Sequence, residues 1–388
     1  MADSLLAITN GHVYAPHTVY APGVVLVRNS TIETVGLTRE VTIPTDAQIV
    51  DAQGQIVAPG LIDLHIHGAL GYDAMGYELA DVIQALPAFG VTTFLATTLT
   101  LPREETVTGL ATMAEVLTSP PEGAICAGIH LEGPFLSTER PGMATREWFE
   151  PLSWEAFRSL QATTRDAIRM VSFAPEIGDA MDYIPRLLAN SVIPSIGHSD
   201  ASFEDVERAV KLGLNHSTHT FNAMRPMHHR KPGVVGAVLF FDQIVAELIA
   251  DGLHIHPAVL AIALRAKGLE RVALVSDASP LAGLPDGQYE WEHKPVFVSH
   301  GSCRLADGTI AGAHALLDTG VLTLIELLNI PLSEALIPAT AVPADVLGLN
   351  KGRLSPGCDA DIVILGADYN PVQTFVAGRE VFRRSESK

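Results

Sequence analysis

The sequence predicts an α/β protein, a (β/α)8 TIM barrel with a small β-sandwich domain formed by both chain ends. Three observations predict it. From about residue 60, short continuous apolar runs alternate with helix-like stretches, the pattern of parallel strands buried on both faces. No Gly-rich phosphate turn follows the first of those strands, which argues against a doubly wound open sheet. The two ends, in contrast, hold only short strand-like pieces broken by Pro, Gly and Asn.

In chain order, the first end pieces are Leu5–Ile8, Val24–Val27, Thr31–Val35 and Gln48–Val50. Eight barrel strands follow at Leu61–Ile66, Val91–Thr97, Ile125–Leu131, Met170–Ala174, Val192–Gly197, Leu214–Thr218, Ile244–Ala250 and Val272–Ser276. Among the intervening helices, Ser202 reads as an N-cap with Asp205 three positions on. Pro185–Asn190, Pro257–Lys267 and Leu316–Leu328 are further helices. Asp361–Leu365, Thr374–Val376 and Glu380–Phe382 return to short strands. The predicted division is residues 1–58 and 345–388 for the β-sandwich and 59–344 for the barrel, which is close to the usual barrel size of about 250 residues.

Composition narrows the function. Acidic residues outnumber basic ones 44 to 25, for a net charge of −19. Such a surface repels phosphate backbones and anionic lipid, so neither nucleic acid nor membrane is an expected partner. Three cysteines without CxxC spacing exclude a thiolate zinc site and a disulfide framework and fit a reducing cytoplasm. The opening MADSLLAITNGHVYAP has no basic n-region, and no apolar run is long enough for a membrane span. A cytoplasmic location is expected.

Ten of the 15 histidines fall between His65 and His256. In a parallel barrel the active site forms at the C-terminal ends of the strands, and five predicted strand ends carry ligand-type residues. Strand 1 ends in His65 and His67, two apart and so on one face of an extended strand. Strand 3 ends in Glu132, strand 5 in His198, strand 6 in His219 and strand 8 in Asp277. Any one could merely cap a helix, but five converging on one rim point to a divalent metal. Imidazoles and carboxylates without thiolates favour Zn²⁺, Fe²⁺, Mn²⁺ or Co²⁺, one or two per subunit. No lysine precedes Lys211, so a carboxylated lysine bridge after strand 4 is closed, and the bridging role falls to Glu132. Asp277 reads as the general base, with pure metal ligation as the other option. His130 and His216, placed two and three residues before ligand candidates, read as inward-facing support. The loop after strand 6 packs Arg225, His228, His229, Arg230 and Lys231 into seven residues, a cluster suited to an anion such as phosphate. His254 lies on the same rim. The reaction class is metal-assisted hydrolysis of an amide or similar bond.

The motifs PGLIDLHIHG, HLEGPF, GHS, THTFNAM, HHRKPG, ADGLH, LVSDA, LPDGQY and KGRLSPGCDADIVIL, in order along nearly the whole chain, resemble those of the N-acetylglucosamine-6-phosphate deacetylases of the amidohydrolase superfamily. The resemblance implies a barrel with a small β-sandwich and a homodimer that removes acetate from the sugar amide, giving glucosamine 6-phosphate. It implies Glu132, His198 and His219 as the principal metal site and Asp277 as catalytic acid/base. Retention of both His65 and His67 implies capacity for a second metal. Asn222 and Ala223 would contact substrate through the loop backbone. Arg230, supplied by the partner subunit, and His254 would hold its phosphate. Met143 and the turn of Ile310, Ala311 and Gly312 would line the sugar. Two positions depart from the pattern. Ala144 stands where many relatives carry a His that polarises the amide carbonyl; a second metal or a nearby His such as His228 would have to replace it. Thr220 stands where an apolar residue is commoner. The competing readings are deacetylation of N-acetylgalactosamine 6-phosphate or another N-acyl amine, and a non-catalytic barrel.

Overall fold

The structure is a computed structural model, and it describes residues 4–385. Eight parallel strands lie side by side in chain order: Leu61–Ile66, Val91–Thr97, Ile125–Glu132, Ile168–Phe173, Ile193–Ile196, His216–Ser217, Val245–Ile249 and Val272–Val275. The first and last meet through a parallel bridge between Ile66 and Ala278. There Asp277 N donates to His65 O and His67 N to Ala278 O, both at 2.9 Å, which closes the barrel at its C-terminal mouth. Most strand residues are buried because helices cover the outer face and side chains fill the interior. Ile62, Leu64, Leu95, Met170, Ile249 and Val275 pack inside with Val342, Ala344 and Leu347 of the helix Ala341–Leu347, which plugs the floor.

Local sequence signals account for several elements. Ser202 accepts from Asp205 N while the Asp205 carboxylate accepts from Ser202 N, a capping box that starts the helix Phe203–Lys211. The helix Pro257–Lys267 has the expected bounds, with proline in its first turn and the positive-φ residue Gly268 stopping it. Strand 6 is shorter than expected, only His216–Ser217. Its chain leaves the sheet early and turns through His219 at φ 27°.

The ends join in one eight-stranded mixed sheet. Its order is Arg379–Arg383, Pro371–Val376, Ile362–Leu365, Ile56–Pro59, Leu5–Ala15, Thr18–Arg28 and Thr31–Leu37, with Gln48–Asp51 also paired to Leu5–Ala15. The strand Ile56–Pro59, absent from the sequence reading, is the seam between the two ends. Ile8, Val25, Val27, Val57, Ile362, Ile364 and Phe375 give this sheet a core of its own.

A second element was not expected. Between barrel strand 8 and the helix Leu317–Glu326, four antiparallel strands form an insert: Gly287–Trp291, Lys294–Ser299, Ser302–Arg304 and Ile310–Ala313. Val296 and Val298 turn inward while Pro295 and Phe297 stay exposed, the two-residue alternation of a half-buried strand. This insert forms one wall of the site described next. No helix among the described residues is long and apolar enough to cross a membrane.

Candidate active site and metal centre

The strand ends bring their histidines and carboxylates to one point. Glu132 Oε1 lies 2.8 Å from His219 Nε2 and 3.2 Å from His198 Nε2. Its other oxygen lies 3.4 Å from His65 Nε2 and 3.3 Å from His67 Nε2. Asp277 Oδ1 faces the same two rings, at 3.5 Å from His65 and 3.2 Å from His67, whose Nε2 atoms are themselves 3.2 Å apart. His198, His219 and Asp277 all adopt positive φ, at 46°, 27° and 50°. L-residues avoid that region, so the three are held there by the strand exits around them.

Lone pairs crowd this centre, and few protons are available to separate them. His198 Nδ1 must donate to Arg140 O at 2.9 Å, which directs the lone pair of its Nε2 at Glu132. Burial opposes charge on His65 and His67, yet Glu132 and Asp277 hold His65 well above its ordinary value and His67 up to about 9. Burial likewise pushes against ionised Asp277, but His67, followed by His65, draws its carboxyl down to about 2. Left to itself the cluster is satisfied by protonating imidazoles. A divalent transition metal satisfies the same contacts with neutral rings. Ligands about 2.0–2.1 Å from a tetrahedral cation stand roughly 3.3 Å apart, matching the separations of 3.2–3.5 Å among His65, His67, Glu132 and Asp277, while His219 stands closer to Glu132 at 2.8 Å. The donor set fits a metal.

A supporting carboxylate escaped the sequence reading. Glu247, fully buried on barrel strand 7, accepts from His216 Nε2 at 2.8 Å and from His219 N at 3.1 Å. It also lies 3.4 Å from His65 Nδ1. His216 and His65 keep it ionised against burial. A single acid inside the apolar run Ile-Val-Ala-Glu-Leu-Ile was the available signal, since an unpaired buried carboxylate is rarely tolerated. His216 and His130 face inward as supports. His130 donates from Nδ1 to Leu64 O at 3.0 Å and meets Ser172 Oγ at 2.7 Å through Nε2. Burial, with His65 beside it, lowers its pKa to about 3, so it stays neutral. Glu247→Gln is expected to weaken metal affinity 10- to 100-fold, because its new amide must point a donor at a donor. Competitive metal titration checks this, and unchanged affinity would count against the supporting role.

Above the centre opens a cavity of about 260 Å³. His67, Glu132, His198, His219, Asp277, Met143, Asn222, Ala223, His254, Ile310 and Gly312 line it, and so do Ala144 and the unanticipated Trp291 and Glu292 of the insert. Ala311 is fully buried in the small core of the insert, behind the wall. His228 and Arg230 do not line it. His228 packs on the ring of His229, and Arg230 Nη1 meets His229 Nε2 at 2.6 Å in an exposed loop. Arg225 is not a free cation either. It pairs with Asp200, whose other oxygen accepts from Arg140 Nε at 2.7 Å. The lining therefore includes no Lys or Arg, and its one basic group beyond the metal centre is His254, bonded through Nδ1 to Asp251 at 2.7 Å. Burial opposes its protonation, but Asp251 raises its pKa.

Comparisons with known proteins identify the family of the chain. The model of the Amidohydrolase family matches residues 56–381. The chain is 35% identical over 395 residues to the N-acetylglucosamine-6-phosphate deacetylase of Bacillus subtilis, covering 100% of this chain and 99% of that protein. It is 32% identical over 342 residues to the N-acetylgalactosamine-6-phosphate deacetylase of Escherichia coli O157:H7, covering 87% of this chain and 90% of that one. The crystal structure of N-acetylglucosamine-6-phosphate deacetylase from Pasteurella multocida superposes with a TM-score of 0.89 at 29% identity, covering 97% and 99% of the two chains. On the matched span and the barrel it encodes, this chain belongs to the amidohydrolase family.

Proposed function

We propose that this chain hydrolyses the acetamide of N-acetylglucosamine 6-phosphate to glucosamine 6-phosphate and acetate, a step of amino-sugar catabolism. The observation that carries the reading is the convergence of His198, His219, His65 and His67 on Glu132, with Asp277 against the last two, at the base of a sugar-sized cavity. The near full-length likeness to enzymes of that name supports it. Among the described residues, 59–347 make up the catalytic barrel domain, three residues past the expected boundary at 344 because the helix Ala341–Leu347 packs on the barrel floor, and 4–58 with 348–385 make up the β domain.

Glu132, His198 and His219 are the principal ligands of a divalent transition metal, zinc foremost, with His65 and His67 beside them for a second. When bound, such a metal supplies Lewis acidity to the amide and to the attacking water. Asp277 is ionised and aimed at the same point, so it takes the proton of that water at its carboxylate and returns it to the departing nitrogen. Asn222 and Ala223, at the exit of strand 6, and Met143, Ile310 and Gly312 on the opposite walls position the sugar.

The phosphate reading rests on charge. A dianion entering a protein of net charge −19 needs a local cation, and His254 is the basic group that one chain offers in the cavity beyond the metal centre. Arg230 of a second subunit completes the site in a homodimer. Exposed Met227, three residues before Arg230, Leu253 beside His254, and exposed Phe240 are apolar surface that such an interface would cover. Arg230→Ala is expected to raise KM for the phosphorylated sugar at least tenfold and leave unphosphorylated N-acetylglucosamine little affected. Equal effects on both would remove Arg230 from phosphate binding.

The galacto epimer is the second reading, favoured by Ala144 in the wall and by the E. coli relative. Acetate release from both N-acetylhexosamine 6-phosphates, with and without prior chelation, tests the proposal. Activity that survives complete metal removal would reject it, and a preference for the galacto sugar would select the second reading.

A further inference from the structure

We propose that Glu292 is a substrate-contacting specificity residue, its buried carboxyl forming a hydrogen bond with a donor group of the sugar. The identity of that sugar rests on the deacetylase reading above.

Glu292 sits at the tip of the first hairpin of the insert, where Trp291 pairs with Lys294 across a two-residue turn. In its type I′ form such a turn demands positive φ at both central positions, which is why Asn and Gly fill it elsewhere. Here the two residues are Glu292 and His293, at φ 51° and 58°. A long side chain at the first of these positions is conformationally unfavourable, and nothing in the hairpin's own hydrogen bonding calls for it. His293 points outward to Glu105 Oε2 at 3.0 Å. Glu292 points inward and lines the cavity beside His67, Met143 and Ala144.

Its carboxyl is unusual among those of the site. Glu132 and Asp277 are surrounded by imidazoles. Glu292 has only 2% of its side chain exposed, yet its Oε2 has no hydrogen-bond partner. Lys294 Nζ is 3.9 Å away, beyond hydrogen-bond reach, and donates instead to the Met143 carbonyl. Native proteins rarely leave a buried carboxyl oxygen unpaired unless water, an ion or a ligand meets it, and this one faces the substrate cavity. Two local costs therefore coincide in one side chain, the left-handed backbone and the orphaned oxygen, and both face the substrate cavity. Strain of this kind clusters where a residue serves binding. A hydroxyl or the amide N–H of an acylamino sugar supplies the missing donor. Ala144, on the same lining, offers no polar side-chain atom, so Glu292 is the acceptor of this wall free to read the sugar, next to the unpartnered indole N–H of Trp291.

The test uses metal-loaded protein in the Asp277→Asn background, titrated calorimetrically with N-acetylglucosamine 6-phosphate and with its galacto epimer. Glu292→Ala and Glu292→Gly are expected to weaken binding of the preferred epimer roughly tenfold or more and to narrow the gap between epimers. Glu292→Gln, which keeps a hydrogen-bonding side chain, is expected to lose less. Glu292→Gly is also expected to raise Tm by a few degrees, since glycine accepts this φ and the orphaned oxygen is gone. A merely structural glutamate predicts the reverse, a lower Tm with sugar affinity unchanged. Affinities within twofold of the parent, or loss of metal with unchanged sugar affinity, would overturn the proposal. Acetate release by the wild-type protein is measured separately. Its absence would fall on the deacetylase reading, while the affinity ratios among the variants still decide the contact.

Discussion

Replacing Asp277 by asparagine is expected to lower kcat by at least ~10²-fold, the range of positioned general acid–base groups, while metal content stays near wild type. The expectation follows from where the aspartate stands. Its backbone is locked at φ 50° by the barrel closure, where its own N–H binds His65 O and its carbonyl accepts from Ala313 N at 2.7 Å. Asparagine keeps that frame and a neutral oxygen near His67 but cannot carry a proton from water to a leaving amine. KM should change little, because the principal metal ligands and sugar contacts are intact. Steady-state acetate release together with metal analysis checks both halves. A near-normal rate would remove Asp277 from the chemistry, and a metal-free variant would make it chiefly a ligand.

Glu132→Gln is expected to reduce metal affinity by roughly 10²-fold or more and acetate release in parallel, exceeding the loss typical of a supporting residue. Glu132 touches all four rings, with one oxygen toward His198 and His219 and the other toward His65 and His67. Glutamine removes the negative charge and turns one of those oxygens into a donor, so one pair of rings meets the wrong partner. Metal content after dialysis against a buffered metal solution reads the effect directly. Full occupancy in this variant would reject Glu132 as the shared ligand.

What the sequence disclosed and what it concealed divide along physical lines. Barrel strands such as Leu61–Ile66 and Val91–Thr97 were legible to the residue because burial on both faces demands an unbroken apolar run. The rim residues were legible because one topological rule maps every strand end to the same place. The insert was harder, since its strands are short and half exposed, and its alternation, clearest in Lys294–Ser299, lies in a stretch that also reads as loop. Glu247 hid inside an otherwise ordinary core strand. Glu292 could not be found at all from local pattern. Only the turn at Trp291 and Lys294 aims it inward, and nothing nearby in the chain marks that direction. Arg225 shows the opposite error: it counted as a free cation in the sequence and is committed to Asp200 in the fold.

That commitment has a mechanical meaning. Asp200 grips with one oxygen the residue whose carbonyl steers the His198 ring, and with the other the root of the loop that ends in Arg230. Cradle and loop thus share a common anchor bolt, and the reach from ion to far rim is gauged from a single fixed origin. Removing the Asp200 carboxylate would therefore release both contacts at once, the one beneath the His198 ring and the one at the root of the loop.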